Sequence, residues 1–191
     1  MISKADIEKT FSAQLSKISD KSIRDKVVDV WVKACERGGW KSVDDILKMP
    51  FTILTDTKGV NFIEHTIAVT EGALALAKAQ IDNYKSLPYK INIDRLVAGG
   101  LLHDVGKLLE IQPDGSGGFK KSFRGEFARH PISGAMIADE VGLPDEILNV
   151  IAYHAKEGEG KPQVIETILV HQADFATFNP LVMLNQGQLI Q

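Results

Sequence analysis

Apolar side chains recur at spacings of three and four along almost the whole chain, the period of an amphipathic helix. Ile7, Phe11, Leu15 and Ile18 mark a first helix, with Ser3 placed to cap it and an end near Ile18. Ile23, Val27, Val30, Trp31 and Ala34 share one face of a second, from about Lys21 to Arg37, stopped by Gly38-Gly39. Ser42 opens a short helix that ends at Pro50, and Phe51 to Val60 reads as irregular. Asn61 caps a longer helix to about Asn83, and Asn92 opens another through Leu101-Leu102. Pro131 and Pro144 stand at the first turns of two more, ending near Gly142 and Ala155. Pro162 opens the last clear helix, which Asn179-Pro180 is expected to end after Phe178. Only Leu109 to Phe123 breaks the pattern, where the turn cluster Pro113 to Gly118 fits a small hairpin. No internal repeat is visible. The pattern predicts an all-α chain, with a helical extension over residues 1–50 ahead of a main bundle over 51–191.

Composition narrows the class. A chain of 191 residues, 44% hydrophobic and 25% charged, is ordinary for one soluble domain. The net charge of −3 argues against a strongly basic nucleic-acid binder, although a local basic patch stays open. A single cysteine, Cys35, excludes an intrachain disulfide and a Cys-rich zinc site. Lys4, Asp6, Glu8 and Lys9 argue against a secretory signal, and apolar runs such as Val97 to Leu102 fall short of the roughly 18 residues of a spanning helix. A cytoplasmic protein with no membrane partner is expected.

The polar residues that interrupt apolar stripes carry the chemistry. His103-Asp104 follows the run Val97 to Leu102, His65 shares a face with Val69, Ala73 and Leu76, and His154 ends the stripe of Ile147, Val150 and Ile151. His130 stands at a helix start, and Asp174 lies in the mainly apolar segment Leu169 to Phe175. Singly, each has a plainer reading as a helix cap or a satisfied core residue. A buried aspartate, however, needs a cation or donors. Inward polar residues on four different helices are explained together by a metal site between facing helices.

The order His65, His103-Asp104, His130, His154, Asp174 resembles the HD superfamily of metal-dependent phosphohydrolases. Leu102 to Lys107 is similar to that family's HD-[IV]-G-K segment and Ala173-Asp174 to its terminal A-D, and the resemblance spans about residues 60–178. It implies an HD-domain helical bundle, a mononuclear core of His65, His103, Asp104 and Asp174, and a second metal position through His130 and His154, with Asp104 bridging. Four imidazoles and two carboxylates suit two ions of Fe, Mn, Zn or Co. Such a pair would hold a hydroxide for in-line attack on the phosphate ester of a small nucleotide-like substrate. The resemblance gives Lys107 a substrate-phosphate contact and Asp104 a catalytic role. The segment Phe119 to His130 holds four cations and one anion, and Arg124 is the preferred further phosphate contact. Lys120 and Lys121 read equally well as solvated. His171, three residues before Asp174, is expected to support a ligand or the core. Glu64 and Glu157 are expected away from the site.

Two departures limit the reading. Tyr153 to Pro162 lacks the doubled histidine and G-Y-P of the cyclic di-GMP hydrolases, and Asn61 stands where three-metal members carry glutamate. Neither that substrate nor a third ion is therefore expected. Two rivals share the fold: a di-iron oxygenase with the same ligands, and a non-catalytic signalling module, against which the complete ligand set argues. Which phosphate ester is cleaved is not written in these motifs.

Overall fold

In the computed structural model, which describes residues 1–190, eleven α-helices and one two-stranded hairpin follow one another along the chain. α1 (Lys4–Thr10), α2 (Ser12–Leu15), α3 (Lys21–Gly38) and α4 (Val43–Lys48) precede the long α5 (Phe62–Asn83) and α6 (Ile93–Leu102). Next come α7 (Lys107–Glu110), the antiparallel pair β1 (Ile111–Pro113) and β2 (Phe119–Lys121), and α8 (Phe123–Phe127). α9 (His130–Glu140), α10 (Asp145–Tyr153) and α11 (Ile165–Asn185) complete the bundle. Capping boxes at Ser3, Ser42 and Asn61 pair with Asp6, Asp45 and Glu64, which fixes where α1, α4 and α5 begin.

Several boundaries differ from expectation, among them the start of the last helix, at Ile165 rather than Pro162, and two points where a helix breaks or runs on. The first helix breaks at Phe11, whose φ of −112° leaves the helical region. Thr10 Oγ1 donates to the Asp6 carbonyl, a side-chain bond that competes with the helical ladder, and the Phe11 ring lies 4.7 Å from that of Trp31. The last helix does not stop at Asn179-Pro180 but carries Pro180 inside it and runs to Asn185. Phe178 and Leu181, on either side of the proline, pack against the core, and Gly187 in the left-handed region ends the helix instead, with a φ of 67°.

The helices ahead of residue 51 share one core with the bundle. Ile7, Phe11, Trp31 and Ile46 are buried in the same cluster as Val97, Leu101, Leu108 and Ile151. The Trp31 indole donates to the Leu101 carbonyl at 3.0 Å and the Trp40 indole to that of Leu108 at 2.8 Å, so α3 and the turn after it grip both flanks of His103-Asp104. α6 fits between its neighbours because Gly99 and Gly100 lack side chains: a Cβ would stand 2.5 Å from Val150 Cγ1 and 2.9 Å from Thr70 Oγ1. Among the described residues no helix is long and apolar enough to cross a membrane.

Candidate metal centre

Five elements converge on one buried point. α5 brings His65, the turn after α6 brings His103 and Asp104, α9 begins with His130, His154 follows the last residue of α10, and α11 carries Asp174. The adjacent pair reaches one place because the chain leaves α6 there; on a continuing helix neighbouring side chains diverge by about 100°. The ligand atoms form two groups, His65, His103, Asp104 and Asp174 in one and Asp104, His130 and His154 in the other, each with its atoms within 4.8 Å of one another. Asp104 belongs to both. The six residues expected from the sequence are thus brought together.

The hydrogen bonds around the histidines set which ring atom faces inward. Nδ1 of His103 lies 2.7 Å from the Gly100 carbonyl and Nδ1 of His154 lies 2.8 Å from that of Ile151. A carbonyl only accepts, so these Nδ1 atoms carry the protons and Nε2 is left facing the centre. His130 donates from Nδ1 to Glu110 at 2.9 Å, and Thr177 Oγ1 lies 3.3 Å from Nδ1 of His65. The Nε2 atoms of His65, His103 and His154 and Oδ1 of Asp104 are buried with no hydrogen-bond partner. Carboxylate oxygens stand 3.1–3.5 Å from the inward nitrogens, close in charge but badly directed for hydrogen bonding. Facing lone pairs at that distance repel, and a cation between them removes the conflict. The donor set therefore fits metal ions.

Proton affinities follow from the same packing. Burial opposes ionisation of Asp104, but Lys107, then His103 and His130, outweigh it and hold its carboxyl well below the usual carboxylate range. Asp174 is likewise opposed by burial yet held at about 2, chiefly by His65. His130 is lowered to about 4 by burial, against the pull of Asp104 and Glu110. At neutral pH it is therefore uncharged, donates from Nδ1 to Glu110, and aims a lone pair at Asp104 Oδ1 from 3.1 Å.

A cavity of about 570 Å³ opens above the centre, with His130 and Asp174 at its floor. Lys107, Lys121, Arg129 and Lys156 share its lining with the carboxylates of Glu110, Glu157 and Asp174, and Phe51, Ile53, Leu54, Phe175 and Phe178 form an apolar wall. Lys107 reaches Asp104 Oδ2 at 2.5 Å from that lining, with 13% of its side chain exposed. Arg124 is not part of the lining; it lies exposed on α8, while Arg129 and Lys121 of the same basic segment face the cavity. His171 donates from Nδ1 to the His154 carbonyl at 2.6 Å and so steadies the backbone at that residue. Glu64 is spent on the α5 cap, whereas Glu157 lines the cavity and lies 3.7 Å from Arg129.

Two residues without a sequence signal matter here. Glu110 accepts from both the amide (2.6 Å) and the ring of His130 and pairs with Arg129 at 3.3 Å. Phe51 stacks on His65 with centroids 4.0 Å apart and planes 15° apart, closing the centre from one side. Nothing in the period of α7 marks Glu110, because its partner sits twenty residues further on. Phe51 falls in the irregular stretch where no face can be assigned.

The HD domain profile matches residues 62–175. The chain belongs to the HD domain family. Its HD domain runs from Phe62 in α5 to Phe175 in α11, so all six ligand candidates lie inside it. Ribonuclease Y of Pseudothermotoga lettingae is 34% identical over 116 residues, 61% of this chain and 18% of the ribonuclease. Ribonuclease Y of Thermotoga maritima is 31% identical over the same length, again 18% of that protein. Dihydroneopterin 2′,3′-cyclic phosphate phosphodiesterase of Methanocaldococcus jannaschii is 31% identical over 117 residues, 60% of this chain and 45% of the enzyme. The chain thus spans less than a fifth of the ribonucleases' length and under half of the phosphodiesterase's. No solved structure matches the HD-domain chain significantly.

Proposed function

We propose that this HD-domain chain is a metal-dependent phosphohydrolase with a two-ion centre, cleaving a nucleotide-like phosphate ester. The observation that carries the reading is the set of buried, unpartnered inward atoms on His65, His103, Asp104 and His154 beneath a cavity with four cationic side chains in its lining. The relatives support it, since one is a cyclic phosphate phosphodiesterase and others are ribonucleases.

His65, His103, Asp104 and Asp174 would hold one ion and Asp104, His130 and His154 the other. When bound, the pair supplies Lewis acidity to a phosphoryl group and a water of lowered pKa. The chain's own residues do the rest. Asp104 stays ionised because Lys107 and the histidines outweigh its burial, so it can serve both groups. Lys107, nearly buried and facing the cavity, binds a phosphate oxygen as a point charge. Arg129 and Lys121 draw an anionic substrate in from the rim, and the wall of Phe175, Phe178, Ile53 and Leu54 takes an apolar base and keeps water out.

The test is metal analysis followed by a phosphatase and phosphodiesterase panel. Chelator-stripped protein is reloaded with Mn, Zn or Fe without oxygen, and phosphate release is measured. Turnover with Mn or Zn is expected, and Lys107→Ala should lower kcat/KM about ten-fold or more while leaving metal content unchanged. Activity confined to iron and dependent on oxygen would overturn the reading.

A further inference from the structure

Helix α8 presents two bare aromatic rings at the rim of the cavity. Phe123 and Phe127 are 82% and 78% exposed. Their rings lie 5.2 Å apart at 62° to each other. Looseness does not explain this, because α8 is fastened underneath. Ser122 Oγ donates to the Leu109 carbonyl at 2.5 Å and its amide to that of Glu110 at 2.7 Å. Gly125 is buried so closely on α7 that a Cβ would stand 2.6 Å from the Glu110 carbonyl. Large apolar groups held rigidly in water mark a binding surface.

Charge indicates what the surface binds. Arg124 stands between the two rings in sequence and is exposed, Lys120 is exposed just ahead of α8, and Glu126 is the only anion of the helix. Single-stranded nucleic acid uses the rings and the cations together, since its bases stack on aromatic rings and its phosphates seek cations. Both ends of α8 also lead to the cavity, since Lys121 before it and Arg129 after it are in the lining. A strand with one phosphate in the cavity continues naturally over α8. Arg124, exposed and outside the lining, is left for the next phosphate.

We propose that α8 is a stacking platform for single-stranded nucleic acid, with bases on Phe123 and Phe127 and a flanking phosphate on Arg124. The substrate is then an oligonucleotide that reaches beyond the cavity, a refinement that rests on the phosphohydrolase reading.

Binding is measured without metal, in EDTA, by fluorescence anisotropy of fluorescein-labelled five-nucleotide oligoadenylates in ribo and deoxy form. The parent should bind one or both, more weakly as salt rises. The double variant Phe123→Leu, Phe127→Leu, which stays apolar but cannot stack, should bind at least about five-fold more weakly for each ring lost. Phe123→Trp, Phe127→Trp should keep the affinity and show quenched fluorescence on binding, and Arg124→Gln should flatten the salt dependence by about one charge. Circular dichroism of each variant checks that the fold is kept. Failure of the parent to bind either oligonucleotide, or undiminished binding by the leucine variant, would overturn the platform, even where small esters are hydrolysed. Self-association of the parent that the leucine variant abolishes, without oligonucleotide binding, would assign the surface to a second copy of the chain.

Discussion

Glu110→Ala should weaken one metal position and spare the other. The carboxylate accepts from the His130 amide at 2.6 Å and from its Nδ1 at 2.9 Å. Burial opposes its ionisation, but His130 and Arg129 outweigh burial and keep the group ionised below the usual range. A hydrogen bond to such a charged acceptor contributes about 1.5–3 kcal/mol. Removing the partner that orients a ligand histidine typically costs about 10–100-fold in metal affinity, about 1.4–2.7 kcal/mol. The two ranges overlap, so about 10–100-fold is expected at the position held by His130 and His154. Glu110 is bonded to no histidine of the other group, where a change below about two-fold is expected. Calorimetric titration of Mn²⁺ into chelator-stripped protein resolves the two positions, and Glu110→Gln, which keeps one acceptor, should fall between parent and alanine variant. Parent affinity at both positions, or equal weakening at both, would refute the reasoning.

The double variant His130→Ala, His154→Ala should lower bound metal from about two ions to about one, read by elemental analysis; an unchanged ratio would remove the second position. Cys35 is pushed up to about 12 by burial, so the folded thiol keeps its proton where the unfolded one loses it. Its contribution to stability is therefore complete below about pH 8.5 and falls by about 1.4 kcal/mol per unit as pH rises towards the folded value. Urea melts from pH 8 to 10 should show that slope reduced by one proton in Cys35→Ala. Gly106→Ala would put a Cβ 2.1 Å from the His130 carbonyl and 2.7 Å from the Gly134 amide, both backbone atoms. A loss of about 1–3 kcal/mol or more is expected in thermal melts, together with weaker metal binding at His130.

The six candidate ligands were legible because polar groups on apolar helical faces stand out against a period, and their order along the chain leaves little freedom. The helix starts were legible for a local reason, since Ser3, Ser42 and Asn61 meet their capping partners three residues away. What depends on distant packing was not. Pro180 looks like a terminator, yet Phe178 and Leu181 are held by the core on both sides of it. The cations from Lys120 to Arg129 are alike in sequence. In the structure Gly125 is seated on Glu110 and Arg124 faces solvent, while Arg129 meets Glu110 and Glu157 at the cavity. Glu110 itself has no local signature, because its function is defined by an amide far along the chain.

The two indole bonds bear on how much of the chain is a self-sufficient unit. Trp31 and Trp40 cap carbonyls on either side of His103-Asp104, at Leu101 and Leu108. The stretch that the HD domain profile matches begins only at residue 62, after both tryptophans. A fragment trimmed to that stretch would lose both indole donors, bare to water the apolar surface that Ile7, Phe11, Trp31 and Ile46 cover, and strip Phe62 of its Trp31 neighbour 5.5 Å away. The part of the molecule that similarity reveals is thus not the part that can be excised. The turn bearing His103-Asp104 is braced from outside the span that the family profile matches.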